Sequence, residues 1–193
     1  MEPLLFLSEY DAELKPLICF KWNEKHGDGF EDANQEFRRY IMNYIFENDQ
    51  LYISKELVSD LFLAESLWAK EAWCVYQKYH LIGEKLLRSG GIQYIDDFLE
   101  GAFSSFDTYC SCRMMNLVDY NISNLIYELK NRIKEATDPE QKKRYVNGIE
   151  LFKLFIEGDP SEGIVSLTGS VKVQNIKEVR YNIFSKILNK LKR

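Results

Sequence analysis

The chain has 193 residues, of which 46% are hydrophobic and 28% charged, and its formal net charge is −5. This length and composition are typical of one globular domain, so we expect a single domain over residues 1–193. No apolar run approaches the roughly 18 residues that a membrane span needs. The negative net charge opposes the sequence-independent attraction to phosphate groups. We therefore expect neither a membrane nor a nucleic acid as the partner.

The N-terminal part of the chain fits more than one structure. Residues 14–22 are largely apolar but contain Pro16, so they fit either a strand or a short buried helix. Residues 26–29 contain two glycines and predict a turn. The residues after this turn match a loose capping box, and apolar side chains then recur at helical spacing. A helix is therefore predicted over residues 30–46.

Residues 54–89 are predicted to form the centre of the fold. Their apolar side chains return every three or four positions, as on one face of a helix. Ser54 stands where its side chain can cap the first turn. Gly90 and Gly91 end the stretch, as glycines do at helix C-termini. We expect either one long helix or two helices that are separated near Gly83.

The second half of the chain predicts a helical pair and a less regular segment. Asp138 and Pro139 provide the clearest helix start, with Asp138 as the N-cap. The helix that they begin should pair antiparallel with a helix predicted over residues 117–136. Residues 164–173 fit a small β-hairpin or a loop, and a final helix is predicted from Asn175.

The helical spacing in most of the chain predicts an all-α fold. We expect a single-domain bundle of about six or seven helices around the long central stretch 54–89. One of these helices follows Gly91 and can be interrupted near Gly101 or at Ser104–Ser105.

The four cysteines predict neither a metal site nor a disulfide framework. Cys110 and Cys112 are the closest pair, and they lack the additional ligands and the spacing of a zinc site. The N-terminus lacks the charged and apolar regions of a secretion signal. We therefore expect a cytoplasmic protein with reduced thiols and without a metal or a cofactor.

The charge is distributed unevenly along the chain. Residues 1–110 hold 20 acidic and 10 basic residues, whereas residues 111–193 hold 10 acidic and 15 basic residues. An acidic first half that is rich in Trp and Tyr has the composition of a protein interface. Trp68 and Trp73 cannot share one helix face, because five residues turn through about 500°. One of the two rings is therefore expected to be exposed or to lie under a second layer.

These features lead to the hypothesis of a non-enzymatic domain that binds a basic protein partner through an acidic surface. The carboxylates assigned to this surface are Glu65, Glu71, Asp96, Asp97 and Glu100. Toxin-neutralising immunity proteins and antitoxins are often acidic single domains, so this class is a candidate on size and charge.

The alternative hypothesis is an enzyme or a small-ligand-binding protein with a pocket between helices. His80 and Glu84 are four residues apart, so they share one helix face and could line such a pocket. The chain contains neither a nucleophile elbow nor a phosphate loop, and no catalytic residue is assigned. A binding protein is therefore favoured over an enzyme, and the sequence leaves the oligomeric state open.

Overall fold

The computed structural model describes residues 2–157, which form one compact body. Its α-helices are α1 (Pro3–Glu9), α2 (Gln35–Glu47), α3 (Lys55–Ala72), α4 (Tyr79–Gly90), α5 (Ile95–Ala102), α6 (Phe106–Cys112), α7 (Ile122–Glu135) and α8 (Pro139–Glu157). Short 3-10 turns occupy Lys15–Leu17, Gly27–Gly29 and Gly91–Tyr94. Within residues 2–157 the only strand-like feature is an isolated antiparallel bridge between Trp22 and Asp32. The predicted all-α fold class is confirmed.

Several helix boundaries follow the capping signals that were predicted from the sequence. The side chain of Ser54 accepts a hydrogen bond from the Leu57 amide at 3.1 Å, which caps α3. The carboxylate of Asp138 accepts hydrogen bonds from two amides in the first turn of α8. Gly91 adopts a positive φ of 55° directly after α4. A side chain would be strained in that conformation, so glycine ends the helix at low cost.

The predicted central stretch forms two helices, so the prediction of one long helix over residues 54–89 is wrong, and so is the alternative of a break near Gly83. α3 ends at Ala72, and α4 begins only at Tyr79. Trp73 caps α3 in the left-handed conformation, with φ 53°. Gly83 lies inside α4, where a Cβ atom would meet the Phe62 ring at 2.9 Å. The glycine therefore allows α4 to approach α3 closely and does not interrupt the helix.

The N-terminal predictions need two corrections. Residues 14–22 form neither a full strand nor an α-helix, because they contain a 3-10 turn followed by irregular chain. The helix predicted over residues 30–46 begins at Gln35, because the residues before it form a closed loop. That loop contributes to the site described below.

The core is organised around α3, which packs against α4 and α5. A column of stacked rings crosses it, because Phe62 of α3 stacks on Tyr79 at 4.6 Å and on Phe98 at 5.6 Å. Phe98 stacks in turn on Phe152 of α8 at 5.7 Å. α7 and α8 pack along each other, as expected for two helices that are joined by a short connection.

The structure bears on the remaining predictions only in part. Among residues 2–157, no helix has both the length and the apolar character that a membrane span requires. All four cysteines are free thiols. The hairpin or loop predicted at residues 164–173 and the helix predicted from Asn175 lie outside the described residues.

Candidate protein-interaction surface

Glu65 is not a surface residue, contrary to the prediction. Its side chain is fully buried in α3, on the face that also carries Leu61 and Trp68. Nε of Arg38 donates to its carboxylate at 2.8 Å, and Nη2 of Arg39 donates at 3.1 Å. A carboxylate that two arginines bind inside the protein cannot contact a partner. Glu65 is therefore not one of the partner-binding residues.

The other four predicted carboxylates are at least partly accessible, and α5 carries three of them. Their partners inside the protein are Arg132 for Asp96, Ser59 for Asp97 and, at 3.8 Å, Arg144 for Glu100. These contacts connect α5 with α3, α7 and α8. Glu71 is half-buried near the end of α3. The structure therefore distributes the predicted carboxylates over two regions and does not gather them into one patch.

The structure places His80 and Glu84 in different surroundings. Nδ1 of His80 is buried and has no hydrogen-bond partner within the described part of the chain. Glu84 accepts hydrogen bonds from Arg88 Nε at 2.9 Å and from the Asn116 amide at 3.0 Å. It lines a groove of about 440 Å³ that His80 does not reach.

A group of six aromatic side chains, here called the aromatic surface, lies where the end of α3 meets the loop before α2. The six residues are Phe20, Trp22, His26, Phe30, Trp68 and Trp73. The centroids of neighbouring rings lie 4.8 to 6.5 Å apart, so the rings form a continuous series. Trp73 is 84% exposed and Trp68 only 9% exposed. One of the two rings is therefore exposed, as expected, but Trp73 lies beyond the end of α3 and not on its helical surface.

Residues 20–32, here called the aromatic loop, carry four of the six rings. The side-chain amide of Asn23 donates to the carbonyl of Gly29 at 2.8 Å, and its oxygen accepts from the Glu31 amide at 3.2 Å. The indole N–H of Trp22 donates to a carbonyl of the same loop at 2.8 Å. These bonds satisfy polar groups that neither a helix nor a sheet would satisfy here. The loop is therefore closed by its own side chains.

A cluster of charged side chains, most of them buried, holds the aromatic loop against α2 and α3. Oδ1 of Asp32 accepts from the Lys21 amide at 3.0 Å, and its Oδ2 accepts from Nη2 of Arg38 at 2.6 Å. Arg38 also pairs with Glu65, and the side chains of these three ionic partners are fully buried. Arg39 is partly exposed and also pairs with Glu65, so the cluster holds two positive and two negative side chains. Two carboxylates and two arginines therefore join the loop, α2 and α3.

Arg39 contacts Trp68 of the aromatic surface and the nearby ring of Tyr76. Its guanidinium lies 4.0 Å from the centroid of the Trp68 ring and 4.7 Å from that of the Tyr76 ring. Both distances fall within the range of cation–π attraction. Burial raises the pKa of Tyr76, so this hydroxyl stays neutral beside the guanidinium.

One residue of the aromatic surface and one other residue of the aromatic loop have a strained backbone. Trp73 and Glu24 are the non-glycine residues with positive φ among residues 2–157, at 53° and 61°. A left-handed conformation costs an L-residue roughly 1–2 kcal/mol. Strain of this kind often marks functional sites, where the surrounding structure maintains it.

Comparison of the chain with protein-family models, with curated proteins and with solved structures gives no match.

Proposed function

We propose that this chain is a non-enzymatic protein-binding domain whose aromatic surface receives cationic side chains of a basic partner. The exposure and backbone conformation of Trp73 are the main support for this proposal. Its ring is 84% exposed and its backbone is left-handed. An exposed ring buries little area, so it cannot offset the cost of that conformation within the chain itself. A partner that covers the ring would explain why a tryptophan occupies this position.

The chemistry of the surface favours a cationic partner. Aromatic faces attract Arg and Lys side chains, and the chain already stacks Arg39 on Trp68 in the same region. Glu71 lies two residues before Trp73, and Glu24 and Asp28 belong to the aromatic loop. The excess of acidic residues over residues 1–110 would attract a basic protein over a longer range. Toxin-neutralising immunity proteins remain one candidate class, supported by size and acidity.

Capture experiments with matched variants test this proposal. The tagged full-length chain is incubated with native lysate at low and at high salt, and retained proteins are identified by mass spectrometry. We compare Trp73→Ala with Phe106→Ala, because Phe106 is also strongly exposed, at 78%, but belongs to α6. A basic protein should be retained by the wild type and by Phe106→Ala, should be lost from Trp73→Ala, and should be released by salt. Retention of the same proteins by Trp73→Ala would refute the proposal.

The affinity of the purified partner gives a quantitative version of the test. Trp73→Ala should weaken binding at least about tenfold, because truncation of a central aromatic anchor costs about 2 kcal/mol or more. Glu71→Gln should mainly lower the association rate and the salt dependence, as expected for a charge at the rim of an interface. An equal loss of affinity in Phe106→Ala would place the interface elsewhere.

A further inference from the structure

We infer that a second site, beside α4, binds a small aromatic or heteroaromatic phosphate. Two adjoining hollows of about 400 and 440 Å³ share Lys85 and Arg88 of α4 as their common wall. Together they are here called the cationic groove; Asp49 and Glu84 also line its larger hollow, and the smaller hollow carries the excess of positive charge. Their size matches the volume range of small-molecule sites. The groove shares no residue with the aromatic surface, so this inference is independent of the proposed function.

The smaller hollow is lined by positively charged side chains, although residues 1–110 carry an excess of negative charge. Lys55, Lys85 and Arg88 line it, and no carboxylate does. Lys85 has only a loose contact to Asp49, at 3.7 Å, and the side chain of Asp49 is 78% exposed. Lys55 forms no ion pair within 4.0 Å among residues 2–157, and the neighbouring carboxylate of Glu56 interacts with it electrostatically. Arg88 is already paired with Glu84 at 2.9 Å, so Lys55 and Lys85 are the two cations of this hollow that favour an anionic ligand.

The position of Lys55 is itself unfavourable for the helix. It is the first residue of α3, where the positive end of the helix dipole disfavours a cation. A bound anion would reverse this penalty, because it would interact favourably with both the ammonium group and the helix end. Arg88 is positioned for such a role, since its guanidinium is held by Glu84 and by the carbonyl of Asn116.

The remaining lining of the smaller hollow suits an aromatic group. Leu51, Ile53 and Val58 provide an apolar wall. Tyr52 lines the same hollow and is 90% exposed, so its ring is free to stack on a bound ring. Ammonium and guanidinium groups bind phosphate through charge-assisted hydrogen bonds. Cations beside an apolar and aromatic wall fit a phosphate monoester on a flat ring better than they fit inorganic phosphate or the ring alone.

Calorimetric titration of the full-length chain at low salt tests the inference with three probes: phenyl phosphate, inorganic phosphate and phenol. Phenyl phosphate should bind saturably and more tightly than either fragment. Lys55→Gln and Lys85→Gln should each weaken its binding about tenfold, as expected for one charge-assisted contact. Lys142→Gln removes an exposed lysine of α8 and should change the affinity less than twofold. Tyr52→Ala should weaken the binding of phenyl phosphate and leave that of inorganic phosphate unchanged.

Three outcomes would overturn the inference. Absence of saturable binding at millimolar phenyl phosphate would remove the site. An equal loss in Lys142→Gln and Lys55→Gln would reduce the effect to general charge attraction. Equal affinities for phenyl phosphate and inorganic phosphate would remove the role of the aromatic group. Circular dichroism and thermal unfolding of each variant identify any loss that arises from misfolding.

Discussion

Two groups of arginine–carboxylate pairs in this molecule differ in exposure. In the cluster around Glu65, the side chains of both carboxylates and of Arg38 have no exposed area. In the pairs that connect α5 with α7 and α8, Asp96 is 49% and Glu100 is 62% exposed. An exposed pair contributes little to stability, whereas a buried pair becomes costly when one partner is removed. The number of charges in a segment therefore does not indicate what each charge does.

The difference in exposure has a structural consequence for the two regions. The pairs of α5 reinforce helices that already pack through apolar side chains. The buried cluster instead holds a loop whose only secondary structure is a single 3-10 turn and one isolated β-bridge. The aromatic surface therefore depends on the buried cluster.

Removal of the buried carboxylate should have the largest effect. Glu65→Ala leaves the buried guanidinium of Arg38 with one carboxylate fewer, so the free energy of unfolding should fall by about 3–5 kcal/mol. Urea denaturation measures this change. Glu100→Gln is the matched control from the exposed pairs and should change stability by at most about 0.5 kcal/mol. Similar small effects of both variants would show that the two regions do not differ.

The α5–α7–α8 region should be sensitive to packing instead of charge. A Cβ atom at Gly148 of α8 would meet Leu99 at 2.7 Å and Leu129 at 3.1 Å, and both leucines are buried. Gly148→Ala should therefore lower the free energy of unfolding by about 1–2 kcal/mol, after the gain in helix propensity is included. Asn147→Ala, at the exposed neighbouring position, should not destabilise the protein. A stabilised Gly148→Ala variant would contradict this packing.

Replacement of the strained tryptophan should separate stability from binding. Trp73→Gly and Trp73→Ala both remove the exposed ring, but only glycine relieves the left-handed backbone. Trp73→Gly should therefore be more stable than Trp73→Ala by about 1 kcal/mol in thermal or urea unfolding, and neither variant should bind the partner. Equal stability of the two variants would mean that the backbone at this position is not strained.

The smallest effect concerns an exposed carboxylate with a single hydrogen bond. The hydroxyl of Tyr94 donates to Glu56 at 2.7 Å, which lowers the pKa of Glu56 below its ordinary value of 4.5. Burial and the bond to Glu56 raise the pKa of Tyr94 to about 12, so its hydroxyl remains a donor in acid. The folded state then binds fewer protons than the unfolded state, and the stabilisation is lost as the pH falls through the folded pKa.

Tyr94→Phe should therefore flatten the dependence of stability on pH below about 4.5. Because Glu56 is exposed, the difference should be no more than a few tenths of a kcal/mol, roughly. Urea unfolding of both proteins between neutral pH and pH 3 measures it. An unchanged pH dependence in Tyr94→Phe would show that the hydrogen bond does not form in solution.

The features that were predicted correctly depend on neighbouring residues. Ser54, Gly91 and Asp138 define helix ends through contacts within a few positions, so their roles can be read from the local sequence. The break at Trp73 was missed because it uses a left-handed conformation that tryptophan rarely adopts. Gly83 was misinterpreted because a glycine is needed there to let α4 lie close to Phe62 of α3. That contact depends on the tertiary fold and cannot be read from the local sequence.

The candidate site was less predictable, because its contacts are distant in sequence. Glu65 carried one local signal: it lies four residues after Leu61 and three before Trp68, on the apolar stripe of α3. Its partners Arg38 and Arg39 lie 27 and 26 positions away, and no periodic pattern connects them. The closure of the aromatic loop likewise depends on side-chain bonds that hydrophobic spacing does not indicate.

Hydrogen exchange of the aromatic loop tests most directly whether the buried cluster maintains the aromatic surface. The amides of Asn23 and Ala33 donate to carbonyls across the loop at 3.0 Å, so they report on its closure. In Glu65→Gln, their exchange should accelerate about tenfold or more relative to amides of α7, whereas Glu100→Gln should leave that ratio unchanged. Exchange that keeps the wild-type ratio in Glu65→Gln would show that the buried cluster does not hold the aromatic loop closed.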